Sequence, residues 1–188
     1  MTAPTAAIAI RRLDPAEAVA RLDELAAILV DAVTHGASIN FMAGFTPAEG
    51  RAFWRGQLPA LEAGGTHLFV ADDGTRLLGT VLLGFVPQPN APHRATIGKM
   101  AVWSGARRQG LGRRLLMAAE AAARAAGRTL LMLDTESGSA GERLYRSCGW
   151  TEMGLVPGHS FAPDGRLAAT TFFYKCLDPH PRPPGAGG

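Results

Sequence analysis

A chain of 188 residues, 47% hydrophobic and 19% charged, is long enough to bury one substantial core and too apolar for a disordered or coiled-coil protein. Its 19 basic and 16 acidic residues leave a net charge of +3, too mild an excess to define a polyanion-binding protein by itself. Cys148 and Cys176 form neither a metal-ligand spacing nor a disulfide framework. No run reaches the roughly 18 apolar residues of a membrane span, and the first residues lack the basic start of a signal peptide. The expectation is a cytoplasmic protein with no metal, no membrane partner and two reduced thiols.

Residues 5 to 12 alternate as a first strand. Asp14 then supplies an oxygen cap and Pro15 a residue with no amide hydrogen to leave unpaired, which opens a helix over 15 to 34. Val19, Leu22, Leu25, Ile28, Leu29 and Val33 recur every three or four positions and predict its inward face. The stretch 35-HGASINFMAGF-45 reads as a packed loop, with a pocket wall as the alternative. Thr46-Pro47 opens a second helix carrying Phe53, Trp54, Leu58 and Leu61 up to Gly64-Gly65. Two β-rich runs, 67 to 72 and 76 to 86, flank the hairpin signal Asp73-Gly74.

Prolines in 87-PQPNAPH-93 separate these from a strand at about 94 to 103, which leads into 107-RRQGLGRR-114. An alanine-rich helix to about 126, a strand at 129 to 135, a short helix at 139 to 147 and strands near 150 to 155 and 168 to 177 complete an α/β order. The segment 178 to 188 is proline and glycine with almost nothing to bury and reads as a flexible tail after one domain of 1 to 177.

The arginine loop carries the functional signal. A helix N-terminus presents unpaired N–H groups and a partial positive charge, and glycines let an anion approach them closely. Two familiar phosphate loops do not match. Gly105 to Gly110 has the Walker spacing but is followed by Leu111-Gly112, and Gly110-Leu111-Gly112 lacks a third glycine at Leu115. A solvated basic face with a glycine turn is the plain alternative.

Placed between strand and helix, Arg107-x-x-Gly110-x-Gly112 resembles the pyrophosphate-binding segment of the GNAT superfamily, the Gcn5-related N-acetyltransferases. The segments 92-PHRATIGKMAVWSGARRQGLGRRLL-116, 130-LLMLDTESGSAGERLYRSCGW-150 and 164-DGRLAATTFFYK-175 extend the resemblance over the C-terminal half, which is most similar to the tabtoxin-resistance branch. The resemblance implies a mixed, mostly antiparallel sheet of about seven strands, splayed between strands 4 and 5 and flanked by about four helices. It implies acetyl-CoA as co-substrate. The backbone of Ala101 and Val102 would meet its amide arm, and Arg107, Arg108, Gln109, Gly110, Leu111, Gly112 and Arg113 would cradle its pyrophosphate, with Arg114 either facing solvent or assisting them.

Acetyl transfer to an amine needs a neutral nucleophile, a polarised carbonyl and a protonated leaving thiolate. The resemblance puts Tyr145 at the position of the acid. Where the tabtoxin-resistance type has a carboxylate after His-Arg-Ala, this chain has Thr96, which cannot act as a base. Asp134 is then the remaining well-placed carboxylate, and His93 a further candidate by residue type. Gly138 stands where relatives carry a CoA-contacting asparagine, with Ser139 as a partial substitute, and Glu142 with Arg143 reads as a solvated pair. The function implied is direct transfer to a primary amine of a small amino-acid-like or antimicrobial molecule, with homodimerisation. Acetylation of a protein or peptide N-terminus and non-catalytic acyl-CoA binding are the alternatives. A nucleic-acid partner ranks last, because few aromatics accompany the arginines.

Overall fold

A computed structural model describes residues 7–177, so the start of the predicted first strand and the predicted tail at 178–188 lie outside the described residues. The elements run β1 (Ala9–Leu13), α1 (Pro15–Ala20), α2 (Leu22–Thr34), α3 (Pro47–Glu62), β2 (Thr66–Asp72), β3 (Leu77–Phe85), β4 (Arg94–Val102), a 3-10 turn (Ser104–Ala106), α4 (Leu111–Ala125), β5 (Leu130–Glu136), α5 (Ala140–Ser147), β6 (Thr151–Phe161) and β7 (Leu167–Cys176). The strands form one sheet of seven in the order β1-β2-β3-β4-β5-β7-β6. All neighbours are antiparallel except β4 and β5. This is the mixed, mostly antiparallel sheet expected.

Helices cover both faces. On one, α4 seals Val81, Leu83, Ile97 and Leu131 beneath Leu111, Leu115 and Leu116; on the other, α2 and α3 seal Leu68, Val70 and Leu82 beneath Leu25, Leu29 and Trp54. Burial of this much aliphatic surface on both sides of one sheet is the dominant favourable term in the fold. Helices α2 and α3 meet closely: a Cβ added to Gly50 would lie 2.9 Å from the Ala26 Cβ. Among the described residues no helix is long and apolar enough to cross a membrane.

Three expectations need correction. Five α-helices flank the sheet rather than about four, because the helix expected over 15 to 34 breaks at Arg21 (φ −108°, ψ 18°). The break lets the Arg21 guanidinium reach Glu24 and, at 3.6 Å, Asp72 of β2, and it turns Val19 outward to 50% exposure. The sixth strand extends to Phe161, well past residue 155. Pro157 and Gly158 lie in a register irregularity between Val156 and Ser160 on the sheet's terminal strand, where a missing N–H disrupts nothing. Both predicted helix starts hold, with Asp14 and Thr46 each closing a capping box on the glutamate three residues on.

Candidate active site

The parallel pair β4 and β5 holds only from Arg94–Leu130 to Thr96–Met132. Beyond it β4 stays paired with β3 and β5 with β7, so the two strands part. The gap is a cavity of about 610 Å3, with Gly98, Lys99, Met100 and Val102 on the β4 side and Asp134, Thr135 and Glu136 on the β5 side. The start of α4, one side of α5 and residues 35–40 complete its walls.

Backbone alternation decides which β4 groups face the gap. Trp103 donates its amide to the Leu78 carbonyl, so Ala101, two residues earlier and paired with Thr80, also turns its backbone groups toward β3. Met100 and Val102 face the opposite way. Of the two residues expected to meet the arm of the acyl donor, Val102 lines the cavity and Ala101 does not; Met100 takes its place.

At the entrance to α4 the chain forms an anion cradle. Gly110 is the N-cap, with φ +75° and no side-chain cap bond. The first intrahelical bond is Arg114 N–H to the Gly110 carbonyl, so among the described residues the amides of Leu111, Gly112 and Arg113 have no protein acceptor. Leu111 is buried and fixes the helix end in the core. A Cβ on Gly112 would stand 3.1 Å from Leu144 Cδ2, so the first turn of α4 sits tight against α5. Free donors, the positive end of a 15-residue helix and adjacent cations suit a diphosphate.

The arginines are partly committed. Arg107 Nε donates to the Val102 carbonyl (3.2 Å), Arg113 to the Ser147 carbonyl and hydroxyl (both 3.1 Å), and Arg114 to the Ile8 carbonyl (2.7 Å). Arg108, at φ +64°, makes no side-chain hydrogen bond among the described residues. Arg107, Arg108, Gly110, Leu111, Gly112 and Arg113 all line the cavity, whereas Gln109 does not.

Tyr145 reaches the cavity from α5, its ring packed 6.0 Å from Trp150 and 6.1 Å from Phe173. Burial, then the neighbouring Asp134 and Cys148, push its phenol well above the usual tyrosine range, so it keeps its proton through the physiological range. Asp134 projects exposed into the same cavity. Thr96 and His93 stand outside it. The Thr96 hydroxyl lies 3.4 Å from the Gly84 carbonyl, and the His93 carbonyl accepts the amides of Thr129 and Leu130.

The expected Glu142–Arg143 pair does not form. Glu142 pairs with Arg146 (2.9 Å) and accepts the Gly138 amide and the Thr171 hydroxyl, which holds its carboxyl below the usual range. Arg143 donates instead to the Gly138 carbonyl (2.8 Å). Ser139 caps α5 through the Glu142 amide.

Two elements, Glu136 and Lys99, escaped the sequence reading, and a third stood in it only as the alternative. Residues 35–40 line the cavity, which favours the pocket-wall alternative for that loop. Glu136 joins them at the end of β5, paired with Arg166 (2.6 Å). Lys99 lies among them, its ammonium 2.9 Å from the Ile39 carbonyl, with burial lowering its pKa and the Asp134 charge opposing that. A lone cation inside the apolar run 95-ATIGKMAVW-103 was the available signal for it.

A splayed sheet, a helix-end anion cradle and a buried phenol beside a carboxylate suit an acyl-CoA-dependent transferase. The sequence model of the acetyltransferase (GNAT) family matches residues 30–150, and the chain belongs to that family, whose acyl donor is acetyl-CoA. Among solved structures it is similar to yncA of Salmonella typhimurium with its cofactor acetyl-CoA, at 23% identity and a TM-score of 0.75, over 96% of this chain and 100% of that one. It is similar to a ribosomal-protein-alanine N-acetyltransferase of Brucella melitensis (28% identity, TM-score 0.68, 89% of this chain and 99% of that one). A third neighbour, assigned as a phosphinothricin N-acetyltransferase, shares 19% identity at a TM-score of 0.74, over 92% of this chain and 99% of that one.

Proposed function

We propose that the chain is a single-domain enzyme of the cytoplasm, spanning residues 1 to 177, that acetylates the primary amine of a small amino-acid-like or antimicrobial molecule by direct transfer in a ternary complex. The resemblance of 92-PHRATIGKMAVW-103 to the tabtoxin-resistance branch favours a detoxifying role. The donor's pyrophosphate is assigned to the amides of Leu111, Gly112 and Arg113 with Arg107 and Arg108 beside them, and its amide arm to Val102 and Met100. Bound there, acetyl-CoA supplies an activated acyl group. Tyr145 holds the proton for the departing sulfur at its phenol oxygen. Asp134 takes the acceptor's ammonium and accepts its proton through water.

The observation that carries the choice of acceptor is a bridge from the loop whose residues 35–40 line the cavity to the turn between β6 and β7. The Ala43 amide donates to the Pro163 carbonyl (3.0 Å), joining the loop after α2 to the turn between β6 and β7. Arg166 of the same turn pairs with Glu136 at the cavity. A protein N-terminus needs an open groove between those two segments, whereas a small amine does not.

The experiment is a thiol-release assay with acetyl-CoA against amino acids, small antibiotics, polyamines and N-terminal alanine peptides. Turnover confined to small amines is expected. Turnover confined to the peptides overturns the acceptor assignment, and acetyl-CoA binding with no amine consumed overturns the enzymatic one.

A further inference from the structure

β4 carries one residue more than β3 opposite it. Thr80 pairs with Ala101 and Leu82 with Gly98, so two steps along β3 answer three along β4. Within the bulge Lys99 takes φ +47°, a left-handed conformation that suits glycine and strains any residue with a Cβ. A glycine stands one position earlier, at Gly98, where an added Cβ would meet nothing within 4 Å. Lysine is therefore kept against the backbone's preference at the one residue of the bulge where glycine would be free of strain. Strain of this kind persists where the surroundings over-determine it, and it points to the side chain.

That side chain has specific partners. The bulge is pinned from below by the fully buried Thr80, whose hydroxyl donates to the Lys99 carbonyl (2.9 Å). The ammonium donates to the Ile39 carbonyl (2.9 Å) and lies 4.9 Å from the Phe41 ring centroid and 5.2 Å from that of Phe53. Phe41 stacks on Phe45 (4.0 Å) and meets Phe53 edge-on (5.4 Å). One cation thus gathers the loop after α2 and a residue of α3 onto β4, through a charge-assisted hydrogen bond and two cation–π contacts. Asp134, the carboxylate whose charge acts on it, lines the same cavity.

We infer that Lys99 is a positioning residue for the acceptor: its ammonium latches the 35–45 loop onto the β4 bulge and holds Ile39 and Asn40 as a fixed wall of the cavity that Asp134 also lines. The inference rests on the reading of this cavity as the active site. A loop with the same sequence but no latch would sample open arrangements, and the acceptor would bind only to the closed fraction.

The test compares Lys99→Arg, Lys99→Met and Lys99→Gly in the full chain. Amide hydrogen exchange across residues 36–45 is expected to run about tenfold faster in the Met and Gly variants and to return to the wild-type rate in the Arg variant. The Gly variant should melt no lower than wild type, because glycine adopts φ +47° without strain, which separates loss of the latch from loss of the fold. Acetyl-CoA affinity by calorimetry should stay within about twofold of wild type, while the KM of the best amine from the panel rises about fivefold or more with the Met variant. Unchanged exchange in the Met variant overturns the latch, as does acceleration spread equally through β4 and α3. If the wild type binds no acetyl-CoA, the reading of the cavity fails, and the exchange data still decide the latch.

Discussion

Gly110→Ala isolates the cradle. At φ +75° a Cβ costs about 1–2 kcal/mol of backbone strain, and since no atom lies within 4 Å of it, no steric clash adds to that. The chain can keep the turn at that cost or rotate it, and rotation turns the amides of Leu111, Gly112 and Arg113 away from their common focus. If the cradled form becomes the minor one by that margin, acetyl-CoA affinity falls about 5–30-fold. Gly74→Ala is the control, because Gly74 has φ +88° with equally open surroundings in the β2–β3 turn, away from the cavity. Both variants should melt a few degrees lower, by about 2–4 °C per kcal/mol, but only Gly110→Ala should lose affinity in calorimetric titration with acetyl-CoA. Equal affinity in the two variants would refute the assignment of the α4 N-terminus to the pyrophosphate.

Tyr145→Phe should lower kcat about 100-fold or more, with acetyl-CoA affinity retained; an unaltered rate in steady-state kinetics removes the acid role. Asp134→Asn should abolish turnover and leave acetyl-CoA binding intact, and full activity would leave the amine's proton to water alone. The raised phenol pKa also has a stability consequence. The unfolded chain gives up this proton near the ordinary value of about 10 while the folded state keeps it, so the group's contribution is complete below that pH and declines above it. The melting temperature of wild type relative to Tyr145→Phe should therefore fall between pH 8 and pH 11, and parallel curves would contradict the burial of an ionisable phenol. Finally, the homodimer implied by the family resemblance has a candidate surface in the terminal strand β6, where Met153, Leu155 and Phe161 are more than half exposed. Leu155→Lys with Phe161→Lys should convert a dimer to a monomer in sedimentation, and a wild-type monomer would dismiss the surface.

The proposed donor side of the cavity was legible in the sequence because it is local. Gly110, Gly112 and the arginines lie within eight residues, directly between a strand and a helix, and a helix end acts on an anion through groups contiguous in the chain. Helix starts at Asp14 and Thr46 were legible for the same reason, since a cap and its partner are three residues apart. The acceptor side was not. Its wall joins residues 35–40, Lys99 and Asp134, which only the completed sheet brings together. The direction of Ala101 was equally hidden. An extra residue at Lys99 displaces the pairing by one, and no feature of 95-ATIGKMAVW-103 announces which strand position will be the odd one.

That one displacement links the two halves of the site. Before it, β4 holds both neighbours, β3 and β5; after it, β4 follows β3 alone, and the groups of Met100 and Val102 are left facing a gap instead of a strand. Strand groups beside an apolar core are costly to leave without partners; the Val102 carbonyl already accepts Arg107 Nε, and a donor with an amide arm would partner the groups that remain. The same bulge swings Lys99 toward Ile39 on the acceptor side. Were β4 instead to continue the Leu82–Gly98 register with no bulge, Met100 would pair with Thr80, turning Ala101 toward the gap and Val102 toward β3. Such a strand would lose the backbone register for the donor and the latch for the acceptor in a single step, so the two sites are not separable modules but two consequences of one irregular strand.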